Sequence, residues 1–279
     1  MNSNSNAFPA VKLSWPATRE FWEIPVLFED DHVLALEKPS GLLLSPDRLA
    51  PERPSLMELL HAGITAGKPW ARERHLTYLA NTHRLDFETS GALLLARGKA
   101  VLTTLADQFG AGAPARSYVA LAQGTPLQDH FFADDKIAPH PLYPGRMRID
   151  SRLGKKSRTE FTVLEKFSRW SLVRCTPHGE RPQQVALHLD HAGFPVVGDE
   201  VHGGKKLWLS RLKRDFRLKP GHEERPLIAR AALHAAELNL THPVTGQPLV
   251  IKSELAKDLR VAVKYLRLYA RTGDSEAQI

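Results

Sequence analysis

Short apolar runs, each closed by charged or turn-forming residues, recur along the chain, and only a few stretches carry the wider spacing of a helix. Val26-Leu27-Phe28 and Val33-Leu34-Ala35-Leu36 flank Glu29-Asp30-Asp31-His32, which reads as a strand, a turn and a second strand. Lys38-Pro39-Ser40-Gly41 breaks that pattern, and Leu42-Leu43-Leu44 is expected to resume it. Ala92-Leu93-Leu94-Leu95-Ala96 is apolar throughout and predicts a strand buried on both faces. Helical signals come next. Ser55 followed by Glu58 has the spacing of a capping box ahead of Leu56-Met57-Glu58-Leu59-Leu60, and Val101, Leu102, Leu105 and Phe109 share one face of a helix over 99–109. Tyr118–Ala122 predicts a strand, and 146–175 a basic hairpin and meander through Met147-Arg148-Ile149, a turn at Leu153-Gly154-Lys155, Phe161–Leu164 and Ser171–Cys175. Residues 183–192 read as a helix, Phe194–Asp199 as a loop, and 205–224 as a charged insertion without a strand. Leu233–Leu240 alternates again, and 254–271 is a basic helix.

Many short strands with few helices predict an α+β fold with a largely antiparallel sheet core and flanking helices. No repeat or low-complexity linker interrupts the 279 residues, so residues 21–279 are expected to form a single catalytic domain after a disordered segment, 1–20. The opening Met1-Asn2-Ser3-Asn4-Ser5-Asn6 lacks the charged and apolar regions of a secretory signal, and no apolar run reaches the roughly 20 residues that cross a bilayer. With one cysteine, Cys175, the chain has no intramolecular disulfide and no cysteine-based zinc site. A cytoplasmic, monomeric protein without a membrane partner is the expectation.

The net charge of +7 matters mainly through its distribution. Arg146, Arg148, Arg152, Lys155, Lys156 and Arg158 cluster against one acid, Asp150, and a second group gathers Lys205, Lys206, Arg211, Lys213, Arg214, Arg217 and Lys219. On charge alone a nucleic-acid surface and two solvated faces fit equally well. His188, His191, His202 and Asp199 could be imagined as metal ligands, but the usual spacings are missing, and helix capping or core packing accounts for them better.

The most telling string is His83-Arg84-Leu85-Asp86-Phe87-Glu88-Thr89-Ser90-Gly91. It fixes one carboxylate between a basic pair and a hydroxyl-rich turn at the mouth of a buried strand. Taken alone, Asp-Thr-Ser-Gly is more often a turn cap salt-bridged to a neighbouring arginine. As a whole the string resembles the catalytic motif of the RluA-type RNA pseudouridine synthases, His-Arg-Leu-Asp-x-x-Thr-Ser-Gly. Further segments resemble the same family in colinear order over roughly 24–260: Leu27–Leu43 with Lys38-Pro39-Ser40-Gly41, Ser117–Leu121, Gly154–Glu165, Leu187–Asp199, Leu233–Ala236 and Thr241–Gly246.

The resemblance implies a pseudouridine synthase fold and isomerisation of a specific uridine in ribosomal or transfer RNA, with no cofactor and no metal. Asp86 and Tyr118 would be catalytic, Asp86 as nucleophile or ribose-directed base and Tyr118 stacked on the extruded uracil. His83, Arg84, Thr89, Lys155, Lys156, Arg158 and Gln184 would contact substrate or RNA. There is one departure. The family's Gly-Arg-Thr-His-Gln-Ile-Arg aligns with Glu180-Arg181-Pro182-Gln183-Gln184-Val185-Ala186, so the basic partner of the catalytic Asp becomes Ala186 and a histidine becomes Gln183. Arg181 and Arg230 are the candidates to replace that partner. The S4-type RNA-binding domain of some relatives is expected to be absent. The rival reading is a catalytically weak or inactive RNA-binding protein on the same fold. An unrelated Asp-nucleophile hydrolase would leave the other matched segments unexplained.

Overall fold

The computed structural model describes residues 8–271, which fall into two compact units: 8–116 with 235–254, and 117–234 with 255–271.

The first unit opens with a hairpin, β1 (Val11–Trp15) against β2 (Glu20–Ile24). This differs from the expected disordered segment 1–20; residues 1–7 lie outside the described ones. The physical reason is in the pattern, since Val11 and Leu13 are buried while Lys12 and Ser14 are exposed, the alternation of a half-buried strand. β3 (Val26–Glu29), β4 (Val33–Lys38) and β6 (Ser90–Ala96) follow in one sheet, with β5 (Ala80–Asn81) on the far end of β6. β3–β4, β4–β6 and β5–β6 pair antiparallel. Leu42-Leu43-Leu44 does not resume the strand; Leu43 makes only an isolated bridge to Ser55, while Leu42 and Leu44 bury themselves in the core. The capping box is present: Ser55 Oγ accepts from the Glu58 N–H and the Glu58 carboxylate accepts from the Ser55 N–H, opening α1 (Leu56–Thr65). A short α2 (Pro69–Arg72) precedes β5, and α3 (Lys99–Gly110) runs over the predicted span.

The second unit carries β7 (Ala115–Gln123, in this unit from Ser117), β8 (His130–Pro139), β9 (Met147–Ile149), β10 (Lys155–Lys166) and β11 (Trp170–His178), in the order β7-β11-β10-β8-β9. The expected basic hairpin is not a hairpin. β8 lies between its two arms, because Ile137 pairs with Ile149 on one side and Lys155 on the other. β8 escapes the pattern reading because Asp134, Asp135 and Lys136 sit mid-strand, and aspartate is depleted in strands. α4 (Gln184–His191) packs on β8, β9, β10 and β11, and α5 (Leu209–Leu212) is the only regular piece of the charged insertion among the described residues.

The chain then returns to the first unit with β12 (Leu233–Thr241, in this unit from Ala235) and β13 (Pro248–Lys252), which pair antiparallel. It ends in the second unit with α6 (Lys257–Tyr269). The core of the first unit draws on both segments: Val33, Ala35, Leu94, Ala96 and Leu105 pack with Leu238, Leu240, Leu249 and Ile251. In the second, Phe131 stacks on Phe161 at 4.8 Å and Cys175 is fully buried, with burial pushing its thiol well above the ordinary range.

Candidate active site

The loop from His83 to Gly91 leads into β6, and its burial alternates: His83 and Leu85 point in, Arg84 and Asp86 out. His83 is 5% exposed. Its Nε2 accepts the Leu94 N–H at 3.0 Å, which leaves that nitrogen unprotonated, and its ring stacks on Phe109 at 5.2 Å. This histidine therefore anchors the loop to β6 and α3. Among the described residues the exposed Arg84 makes no hydrogen bond or ion pair, so its guanidinium is available to a ligand.

What shapes the loop is Lys38, whose role the motif pattern does not reveal. It stands at the end of β4, fully buried, and its ammonium donates to the carbonyls of Pro39 (3.0 Å), Asp86 (3.4 Å), Phe87 (3.2 Å) and Thr89 (3.0 Å). A buried ammonium must be solvated by the protein itself, and here the backbone of the Asp86 loop does so. The loop is closed further by Thr89 N–H to Asp86 O at 3.1 Å and Gly41 N–H to Phe87 O at 3.0 Å. Thr89 and Ser90 are buried at 3% each, so Thr89 acts through the turn it closes. Gly91 has φ +117°, and a Cβ there would lie 2.2 Å from the Ala235 carbonyl oxygen; only glycine lets β12 come this close.

In the second unit, Tyr118 is 9% exposed on β7, opposite Cys175 of β11. At the start of α4, Gln183 takes φ +58° and staples a neighbouring loop: its Oε1 accepts from Met147 N–H at 2.9 Å and its Nε2 donates to Gly145 O at 2.8 Å. Gln184 is buried and ties the helix to β10, donating to Arg158 O at 3.0 Å and Thr159 Oγ1 at 3.2 Å. One turn on, His188 lies between Thr159 Oγ1 (2.8 Å) and Ser157 Oγ (3.1 Å), and burial holds its pKa below the ordinary histidine value. Ala186, where the resemblance implies a basic residue, is 6% exposed on the same helix.

The two replacement cations are placed differently. Arg230 is buried and bidentate on Asp258, with Nε at 2.8 Å and Nη2 at 2.9 Å, while its Nη1 donates to Ala231 O and Leu233 O. Arg181 donates its N–H to Gln184 Oε1 at 3.0 Å and its Nη1 to Glu180 O at 3.4 Å; its Nε is buried without a partner among the described residues. Lys155 and Lys156 open β10 and are exposed. Arg158 lies over the Phe132 ring at 4.2 Å and pairs with Asp134 (3.8 Å) and Glu160 (3.6 Å). Asp199 caps a 3-10 turn, Glu200–His202, and holds His202 at 2.8 Å, while His191 pairs with Asp135 at 3.0 Å. None of these gathers with two further ligand-type side chains among the described residues.

Comparison with known proteins bears on the family and the fold. Residues 32–191 match the family model described as RNA pseudouridylate synthase. The chain is 32% identical over 254 residues to the ribosomal large subunit pseudouridine synthase D of Nitrosomonas europaea, covering 88% of this chain and 65% of that protein, a little under two thirds of it. It is also 32% identical over 248 residues to synthase C of Salmonella typhi, covering 87% and 70%. Two solved human structures, RNA pseudouridylate synthase domain containing 4 and 1, share the fold. The first has TM-score 0.66 and 22% identity over 87% of this chain and 92% of that one; the second has 0.59 and 21% over 90% and 97%.

Proposed function

This chain belongs to the RNA pseudouridylate synthase family, and from that premise we propose that it isomerises a specific uridine of ribosomal or transfer RNA through Asp86. The relatives are named for the large ribosomal subunit, which favours ribosomal RNA. The observation that carries the reading is the Asp86 loop itself: an outward carboxylate on a turn held from beneath by the buried Lys38 ammonium.

The reaction breaks the N1–C1′ bond of uridine and makes C5–C1′, with a proton leaving C5 and one joining N1. Substrate and product are isomers, so no cofactor is consumed. Asp86 would act at the sugar, as nucleophile or as base, in the way carboxylates act at glycosidic centres. A stacked base is out of reach, so the nucleotide must be extruded, at a cost of a few kcal/mol met by contacts along the RNA backbone. Arg84, exposed and uncommitted, would engage phosphate or fill the vacated space; Tyr118 would stack on the uracil. Lys155 and Lys156 would meet the RNA backbone, and Gln184, His83 and Thr89 would act by fixing the elements around these groups. The protein would work as a cytoplasmic monomer.

Ala186, in place of a basic residue, is the specific observation behind the second reading, an RNA-binding protein with weak or no turnover. One measurement separates the two. Release of tritium from RNA labelled at uridine C5 is expected with the wild type and is expected to vanish in Asp86→Asn, which keeps shape and loses one charge. RNA affinity should change little. Binding without release by the wild type would establish the second reading, and wild-type turnover by the variant would remove Asp86 from the chemistry.

A further inference from the structure

The charged insertion, which has no part in the proposed chemistry, borders a cleft of about 770 Å³ within the second unit. Its lining combines the indoles of Trp170 and Trp208 and the ring of Tyr269 with Arg169, Lys205 and Arg211. The side chains of these three cations find no hydrogen-bond acceptor or acid among the described residues, and each is exposed. The acid of the lining, Glu200, is taken by Lys206 at 3.2 Å. One wall is preset. Gly204 packs so closely that a Cβ would lie 1.9 Å from the Val196 carbonyl oxygen. Lys205 O then accepts from Gly198 N–H at 3.0 Å and Leu207 O from Leu227 N–H at 2.7 Å, which delivers Trp208 to the start of α5. Lys213 covers Tyr269, its Nζ 6.0 Å from the ring centroid.

Two partly exposed indoles in a concave site ringed by uncommitted cations match one chemistry: a planar aromatic group joined to an anion. We propose that this cleft binds an unpaired nucleotide of the RNA, taking its base on Trp170 and Trp208 and its phosphate on Lys205 and Arg211, as a second RNA site separate from the Asp86 loop. Stacking on aromatic rings accepts any base, so the cleft would add affinity and favour RNA with an unpaired nucleotide, without reading a sequence. The proposal rests on the RNA-modifying activity proposed above, and a double helix, whose bases are already stacked, would not use the indoles.

The test is fluorescence anisotropy with a single-stranded oligouridylate of about 12 nucleotides, within the usual span of such sites, beside an RNA duplex of equal length. Trp208→Ala is expected to weaken single-strand binding about tenfold and leave duplex binding unchanged, with Trp208→Phe retaining most of the affinity. Lys205→Ala with Arg211→Ala should flatten the dependence of log affinity on log salt by about 0.7 for each phosphate no longer neutralised. Thermal unfolding controls for folding, and if Trp208→Ala does not fold, Trp208→Phe and the salt slope decide. Unchanged single-strand affinity, or an equal loss on the duplex, would overturn the cleft. Tritium release by the wild type is followed alongside. Release together with indifferent variants removes the cleft and keeps the proposed function, whereas single-strand loss without any release keeps the cleft and removes the isomerase. A wild type that neither binds nor turns over RNA removes both.

Discussion

A single buried charge organises the loop on which the chemistry is proposed to rest. Replacing Lys38 with methionine keeps much of the volume and removes the donor, leaving the carbonyls of Pro39, Asp86, Phe87 and Thr89 without their shared ammonium. Hydrogen bonds to charged groups contribute about 1.5–3 kcal/mol each, so a loss of a few kcal/mol in unfolding free energy is expected. The loop should loosen with it, read as faster amide exchange at Thr89 and Gly41, whose N–H groups bond within it, and as a fall in turnover larger than the change in KM. Unaltered exchange would show that the backbone bonds alone hold the turn. At this scale the sequence was partly legible. The nonapeptide marked Asp86 and Arg84, which the fold exposes, while His83, Thr89 and Gln184 turn out to be buried anchors. Which side of a chain faces water is decided by neighbours far away in sequence, and no local string carries it.

Most elements were legible where hydrophobic spacing was clean, though Leu42-Leu43-Leu44 was not a strand, and β8 was illegible where charge broke the pattern. The β6 strand and the α1 cap follow the pattern, and β8 does not, because its aspartates serve neighbours: Asp134 meets Arg158 and Asp135 meets His191. With β8 between β9 and β10, the exposed Lys155 and Lys156 begin a strand whose Arg158 is already paired, so they are the freer charges of that strand. Reversing both to glutamate is expected to weaken RNA binding and to lower the salt slope by about 0.7–0.9 per phosphate left unneutralised, measured by titration at several ionic strengths. An unchanged slope would make this stretch a solvated face. A second expectation concerns α6. Burial disfavours the Asp258 carboxylate, but the Arg230 hydrogen bonds and charge outweigh it and hold its pKa below the ordinary range. A depressed folded value means the pair's stabilisation is full above the unfolded carboxylate pKa of about 4 and is lost as pH falls through the lower folded one. Thermal midpoints taken from neutral pH downward should show Asp258→Asn less stable at neutrality and less sensitive to acid. Parallel curves for the two proteins would place the acid sensitivity elsewhere.

At the scale of the whole molecule, neither compact unit is continuous in sequence, since each is assembled from two separate stretches. We expect residues 21–279 to unfold as one domain, with a single calorimetric transition whose enthalpy equals the van't Hoff value. Two resolved transitions would divide the chain thermodynamically as well as geometrically. The α+β class was legible from the many short strands, whereas this partition was not, because no composition shift marks Arg116, His234 or Glu254. It has a consequence for the order of events in time. A nascent chain makes Val33, Leu94 and Leu105 early, yet their partners Leu238, Leu240, Leu249 and Ile251 emerge only after most of the second unit has been translated. At about 5–20 residues per second that delay is on the order of ten seconds. For that interval the apolar face of β4 and β6 is covered by α3 but lacks the part of its native cover that β12 and β13 supply, and the ribosome-bound intermediate is a natural client for a chaperone.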